Sequence, residues 1–260
     1  MERGPPDEGA ADRGGAMTAR IISVHQGADA PGAGRKRPFL KDEAYSSIRK
    51  HLLNQDADAM FSERLLAAEL GLGLGPVRSA VERLRVEGLI VVSPNNGLRL
   101  PEIGSKDILD FYELRMLIEC HAVESLSGCL TVDQAAAVEE ILDEQDASAR
   151  SADTVRYHQL DLAFHAALTD FHGNTEMSDA LRRMRDKMYR LARRMHNEHP
   201  ERLEVNAGQH RRIFEAVRSG NAQAARQRMR THLDWGRRFT LDPDQRLGND
   251  WQRTDLPDGF

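Results

Sequence analysis

Asp161 and His165 stand four residues apart in Asp161-Leu162-Ala163-Phe164-His165. On an α-helix that spacing puts both side chains on one face, one turn apart, so a single ion can meet both. His210, in Gln209-His210-Arg211-Arg212-Ile213, and His232, in Met229-Arg230-Thr231-His232-Leu233, fall on two later helical stretches. A helical bundle can bring such faces together in its interior. Three imidazoles and one carboxylate suit zinc, nickel, manganese or iron, and leave coordination positions open for water or a ligand. The plain alternative is a set of ordinary helix polar groups. The chain has 10 His, and His51, His158, His172, His196 and His199 read as surface or capping residues. A hydrolase or oxygenase could use the same ligand types. No general base is placed beside them, however, and no nucleophile motif occurs, so the reading is a non-enzyme.

These four residues need a helical scaffold, and the sequence supplies one from Ser105 onward. Helical periodicity continues almost throughout, with breaks near Gly128 to Thr131, Ser148 to Asp153, Gly173, Pro200 and Gly220. That predicts about six helices joined by connections short enough for antiparallel packing. Asn174, after Gly173, reads as a helix cap.

The N-terminal half has a different order. A helix fits Lys41 to Leu53, with Ala44, Ile48 and Leu52 on one face. Ser62 reads as the N-cap of a short helix that Gly71 closes. Pro76 falls in the first turn of a third helix running to about Glu87. Leu89 to Ser93 reads as a strand, Pro94-Asn95-Asn96-Gly97 as a turn and Leu98 to Leu100 as the returning strand. Helix, helix, turn, helix, hairpin is a winged helix-turn-helix. In that arrangement the second paired helix enters the major groove and the first crosses the phosphates. Arg64 is then placed for a phosphate or a guanine, and Arg78, early in the recognition helix, for a bidentate guanine contact. As isolated residues, both arginines equally suit a solvated surface.

The totals fit two modest domains in 260 residues. With 40% hydrophobic and 30% charged residues the chain reads as globular. No apolar run reaches the roughly 20 residues that span a bilayer. Cys120 and Cys129 read as reduced core residues of a cytoplasmic protein. The net charge of −5 argues against coating nucleic acid by bulk charge. Arg35 to Arg99, however, is locally richer in Lys and Arg, so the halves suit different partners. The expected organisation is a disordered tail over 1–36, a winged helix over 37–101, an all-helical domain over 102–240 and a flexible tail over 241–260. The expected fold class is mostly α.

Ser62-Glu63-Arg64-Leu65-Leu66-Ala67, Leu70-Gly71, Pro76-Val77-Arg78, Leu84, Glu87-Gly88-Leu89 and the wing residue Gly97 together resemble the GntR family of bacterial regulators. The resemblance spans roughly residues 39 to 101 and implies operator binding as a homodimer, with Arg64, Arg78, Asn96 and Gly97 at the DNA. It departs at Leu72-Gly73-Leu74-Gly75, where the family carries a Val-Ser-Arg-Thr-like stretch. Asn96 stands where a basic wing residue is common. Losing one bidentate base contact costs roughly 1–3 kcal/mol of discrimination.

The C-terminal string is Asp161-x-x-x-His165, His210 before Ile213-Phe214-Glu215-Ala216, Gly220-Asn221-x-x-Ala224-Ala225 and Met229-x-x-His232. It resembles the FadR-like FCD branch of that family. The resemblance implies a divalent metal held by Asp161, His165, His210 and His232. It also implies an arginine aimed into an effector pocket, at Arg115. One guanidinium can grip a small acid's carboxylate bidentately while a metal binds its other oxygens. The competing role for Arg115 is a buried pair with Glu119. The whole reads as a ligand-responsive transcription regulator, of the repressor kind. The alternative is a regulator in which the ion itself is the signal.

Overall fold

The computed structural model describes residues 37–55, 59–93, 97–196 and 199–244. The expected tails at 1–36 and beyond 244, and the turn residues 94–96 with Asn96, lie outside the described residues. The first unit is α1 (Arg37–Leu53), β1 (Met60–Phe61), α2 (Glu63–Leu70), α3 (Leu74–Val86), β2 (Val91–Ser93) and β3 (Gly97–Arg99). The second is α4 (Ser105–Leu126), α5 (Val132–Arg150), α6 (Thr154–His172), α7 (Thr175–His196), α8 (Arg202–Arg218) and α9 (Ala222–Leu241). The fold is mostly α, as expected, with a winged helix-turn-helix followed by six helices.

The local chemistry of α2 and α3 is that of a helix-turn-helix. Ser62 caps α2 by accepting from the Leu65 backbone N–H at 3.1 Å. Gly71 ends it in the left-handed region at φ 64°, returning its N–H to the Ala67 carbonyl. The N-cap of α3 is Gly73, which has no side chain with which to cap. Pro76 is the third residue of α3, inside the first turn. Val77, Ala80, Val81 and Leu84 form its buried face.

The wing is a three-stranded antiparallel sheet in the order β1-β3-β2, with Phe61 opposite Leu98 and Val92 opposite Leu98 on the other side. β1 is an addition to the expected hairpin. Two residues are too short to display the period-two alternation by which a strand is read. The strand expected from Leu89 starts at Val91, because Leu89 and Ile90 are buried against the helices instead. Gly97 has an internal reason to be glycine. Its φ is 80°, and an added Cβ would lie 2.4 Å from the Phe61 carbonyl oxygen.

In the second unit, α4 packs on α9, α5 on α6, and α6 on α7, while α8 joins α9 and α5. Side-chain caps fix the helix starts. Thr131 and Gln134 form a capping box on α5, and Asp153 and Asn221 cap α6 and α9. Asn174 accepts from the Glu176 and Met177 N–H groups at the start of α7. Separate apolar clusters fill the two units. One holds Ile48, Leu66 and Leu84, the other Ile141, Phe164 and Leu233. Tyr189 of α7 belongs to the first cluster and so ties the units together. Its hydroxyl donates to Asn54 Oδ1 at 2.8 Å, Arg193 donates to the Leu53 carbonyl at 2.6 Å, and Arg190 to that of Pro101 at 2.6 Å. No helix among the described residues is long and apolar enough to cross a membrane.

Candidate metal centre

α6, α8 and α9 each turn one imidazole toward the same point. His232 Nε2 lies 3.3 Å from His165 Nε2 and 3.3 Å from His210 Nε2. One ring nitrogen from each histidine falls within 4.8 Å of the others, and all three side chains are buried. Asp161, one turn before His165 on α6, brings Oδ1 to 3.7 Å from His210 Nε2. Of the four residues that the sequence singled out, the three histidines therefore meet, and Asp161 approaches His210 from beside them.

The far side of each ring is fixed by an acceptor. His165 Nδ1 is 2.5 Å from Glu119 Oε2, His210 Nδ1 is 2.8 Å from Gln145 Oε1, and His232 Nδ1 is 2.9 Å from Gln209 Oε1. A carboxylate or amide oxygen only accepts, so each Nδ1 carries a proton. Nε2 of His210 and of His232, whose rings stay neutral, then presents a bare lone pair, and two such lone pairs facing one another at 3.3 Å repel. Protonation offers no relief there. Burial, with the neighbouring rings adding to it, holds His210 and His232 well below the ordinary imidazole range. A cation at the point where the rings meet satisfies them. Two nitrogens bound tetrahedrally to one zinc-sized ion at roughly 2.0–2.1 Å are themselves about 3.3–3.4 Å apart, the spacing of two of the three pairs here.

The carboxylates divide their work. Burial raises the Asp161 carboxyl against the opposing pull of His165 and Arg115. Asn206 donates to its Oδ1 at 3.1 Å. Burial acts on Glu119 in the same sense, but Arg115 and His165 outweigh it and hold that carboxyl at about 2. Arg115 reaches Glu119 through Nε at 2.5 Å and Nη2 at 3.3 Å. Of the two roles open to Arg115 in the sequence, the pair with Glu119 is the one formed. The chain Arg115–Glu119–His165 is a continuous buried hydrogen-bonded line.

Gln145, Gln209 and Asn206 were missed as partners from sequence. Gln145 carried a signal all the same: it continues the buried stripe Val138, Ile141, Leu142 of α5, a polar residue where periodicity calls for an apolar one. His158 and His196, read as surface or capping residues, are corrected. Both are buried, their rings stack, and Nε2 of His158 lies 3.2 Å from Nδ1 of His196. Each stands on the inward face of its helix, which a list of histidines without a tertiary fold does not reveal. Cys129, read as a core residue, is exposed just past α4, while Cys120 is buried, and both are free thiols. In the winged unit Arg64 is exposed on α2. Arg78 is exposed on α3 and pairs with Glu63 at 3.0 Å.

Residues 110–234 match the family model of the FCD domain. An HTH-type transcriptional regulator in an unstable DNA locus of Streptomyces ambofaciens is 30% identical over 194 residues, covering 74% of this chain and 80% of that protein. The HTH-type transcriptional regulator YdhC of Bacillus subtilis is 26% identical over 193 residues, 73% of this chain and 86% of its own. The solved structure of Escherichia coli McbR/YncC superposes with a TM-score of 0.70 at 17% identity, over 79% of this chain and 99% of that one, and so shares the fold. These relatives are regulators, in agreement with the reading of a non-enzyme. The winged helix, the helical bundle and these likenesses place the chain in the GntR family of DNA-binding transcriptional regulators, in its FCD-domain branch.

Proposed function

We propose that this regulator holds a divalent transition metal through Asp161, His165, His210 and His232, and responds to a small organic acid bound beside it. The observation that carries the metal reading is the meeting of three buried imidazoles at their Nε2 atoms, with each Nδ1 held by an acceptor on the far side. The metal would supply a Lewis-acidic anchor for oxygen ligands. The division proposed is a DNA-binding unit over 37–101 and an effector unit over 102–240. Arg64 and Arg78 are assigned to operator DNA, on the exposed sides of α2 and α3. Gly97 serves the wing by its backbone. A homodimer suits the two half-sites of an operator, and the exposed Leu109, Leu114 and Leu117 of α4 offer apolar surface for it.

In this reading an effector carboxylate at Arg115 competes with Glu119 for the guanidinium. Success there loosens the hydrogen bond that orients His165. The same pairing favours a second reading. With Arg115 occupied by Glu119, the ion itself is the signal, and its arrival orders α6, α8 and α9 together. Elemental analysis of the purified protein beside an Asp161→Ala/His210→Ala variant tests the site. About one metal per chain, absent from the variant, is expected. No metal in either protein after incubation with zinc, nickel or manganese would remove both readings. If operator affinity changes on metal removal with no acid present, the ion is the signal; if it changes only when an acid is added to the loaded protein, the acid is.

A further inference from the structure

A cleft of about 820 Å³ separates the winged unit from α7. Arg49 of α1 lines one wall, and Arg182, Arg183, Arg185 and Arg190 of α7 line the other. Seven basic and five acidic residues line the cleft, which leaves a surplus of positive charge. Asp186 is gripped by Arg49, with Nε to Oδ2 at 2.8 Å and a second contact through Nη2. The same carboxylate is the anion that Arg185 and Arg190 sense most strongly. The other acids of the cleft are already paired: Asp179 with Arg182, Asp107 with Lys187, Glu87 with Arg83 and Glu102 with Arg99. Arg190 turns to the neutral Pro101 carbonyl, and Arg183 stands exposed at the mouth.

Arg49 and Arg190 thus stand near one carboxylate in a partly desolvated space with exposed Arg183 beside it, inside a chain whose net charge is −5. Burial, reinforced by Arg49, lowers Arg185 to about 10. Like charges held on facing walls repel unless an anion enters. We propose that this cleft is a second ligand site, for a small phosphate-bearing anion that bridges Arg49 of the winged unit to the arginines of α7. Guanidinium forks match phosphate oxygens in pairs. The volume lies within the usual range for ligand pockets, which favour such interfaces. Leu89 and Ile103 add an apolar wall for the rest of the molecule. The bound anion fastens the DNA-binding unit to the bundle and thereby limits the angles it can take on an operator.

Calorimetric titration of the full chain with inorganic pyrophosphate, in chloride buffer, tests this site. It is run on metal-loaded protein and again with a chelator, which separates the cleft from the metal centre. One saturable site per chain is expected in both. Its affinity should fall about tenfold or more in Arg183→Gln/Arg190→Gln, equivalent to about 1.4 kcal/mol, with metal content unchanged. An Arg190→Lys variant, which keeps the charge and loses the fork, should fall between the two. Absence of saturable binding, or binding that the variants leave intact, overturns the proposal. So does binding that vanishes with the chelator, which would put the anion on the metal. Weaker operator binding by the double variant, with no pyrophosphate binding by the parent, also overturns it and assigns the arginines to DNA phosphates.

Discussion

The winged unit and the helical bundle differ in where their candidate functional groups lie, outside the core in one and within it in the other. In the winged unit the core is apolar, built on Ile48, Leu52, Leu66, Val77 and Leu84, and Arg64 and Arg78 lie outside it. In the bundle the reverse holds: Arg115, Glu119, Gln145, Asp161, Asn206 and the three histidines are buried among leucines and aromatics, with Phe164 stacked 4.3 Å from His210. Burying polar groups is costly unless each is hydrogen-bonded. The first unit is therefore held mainly by apolar packing and helix caps, with its candidate DNA-contacting arginines on the surface. The second depends on a connected polar network, so its stability is linked to whatever completes that network.

The largest expected effect separates the two. Leu84→Ala empties a fully buried site in the winged unit and should destabilise it by about 2–5 kcal/mol. Denaturation followed by circular dichroism, with operator binding and metal content measured in parallel, checks this. DNA binding should weaken while metal is retained. Loss of metal as well would mean that the two units unfold as one block.

Gln209→Leu attacks the other side of the comparison. It removes the acceptor for His232 Nδ1 without touching a ligand, and metal affinity should drop about 10–100-fold. Competition with a chromophoric chelator reads the change, and an unaltered affinity would deny Gln209 its orienting part.

Acid sharpens the contrast further. Burial, aided by Arg193, lowers His158 to about 3 from its ordinary 6.5. Between those values the unfolded chain binds the proton that the folded chain refuses. Stability is then fully present above pH 6.5 and is lost as the pH falls toward 3, at up to about 1.4 kcal/mol per pH unit for one group. A folded His158→Gln variant should show a slope shallower by about that amount in urea denaturation from pH 7 to 4. Equal slopes would place the proton uptake elsewhere.

Ser62→Ala is the mildest change. It deletes the cap of α2 and should cost about 1 kcal/mol, visible as a lower denaturation midpoint for the winged unit and no change in metal content.

Local signals made the winged unit legible. Ser62, Gly71 and Pro76 act within one helical turn, and each does in the structure what its type implies. β1 escaped, since Met60 and Phe61 form a strand through their partner β3 rather than through any pattern of their own, and the strand read from Leu89 begins at Val91. In the bundle the helix breaks were legible for the same reason, as Thr131, Asp153, Asn174 and Asn221 cap their own helices. The spacing of Asp161 and His165 placed them on one face, and the family resemblance added His210 and His232.

By itself, then, the sequence determined the order of the helices and the caps at Ser62, Gly71 and Asn174, and it singled out Asp161, His165, His210 and His232 as candidates. Tertiary structure decided what stands behind them. Glu119, Gln145 and Gln209 come from α4, α5 and α8, and only packing brings their oxygens to the three Nδ1 atoms. It also gave Arg115 to Glu119 and buried His158 against His196. The physical reason is range. A cap or a turn is settled by atoms a few bonds away, whereas a hydrogen bond between helices depends on how whole faces pack, and nothing in the spacing along one helix records its neighbour's register.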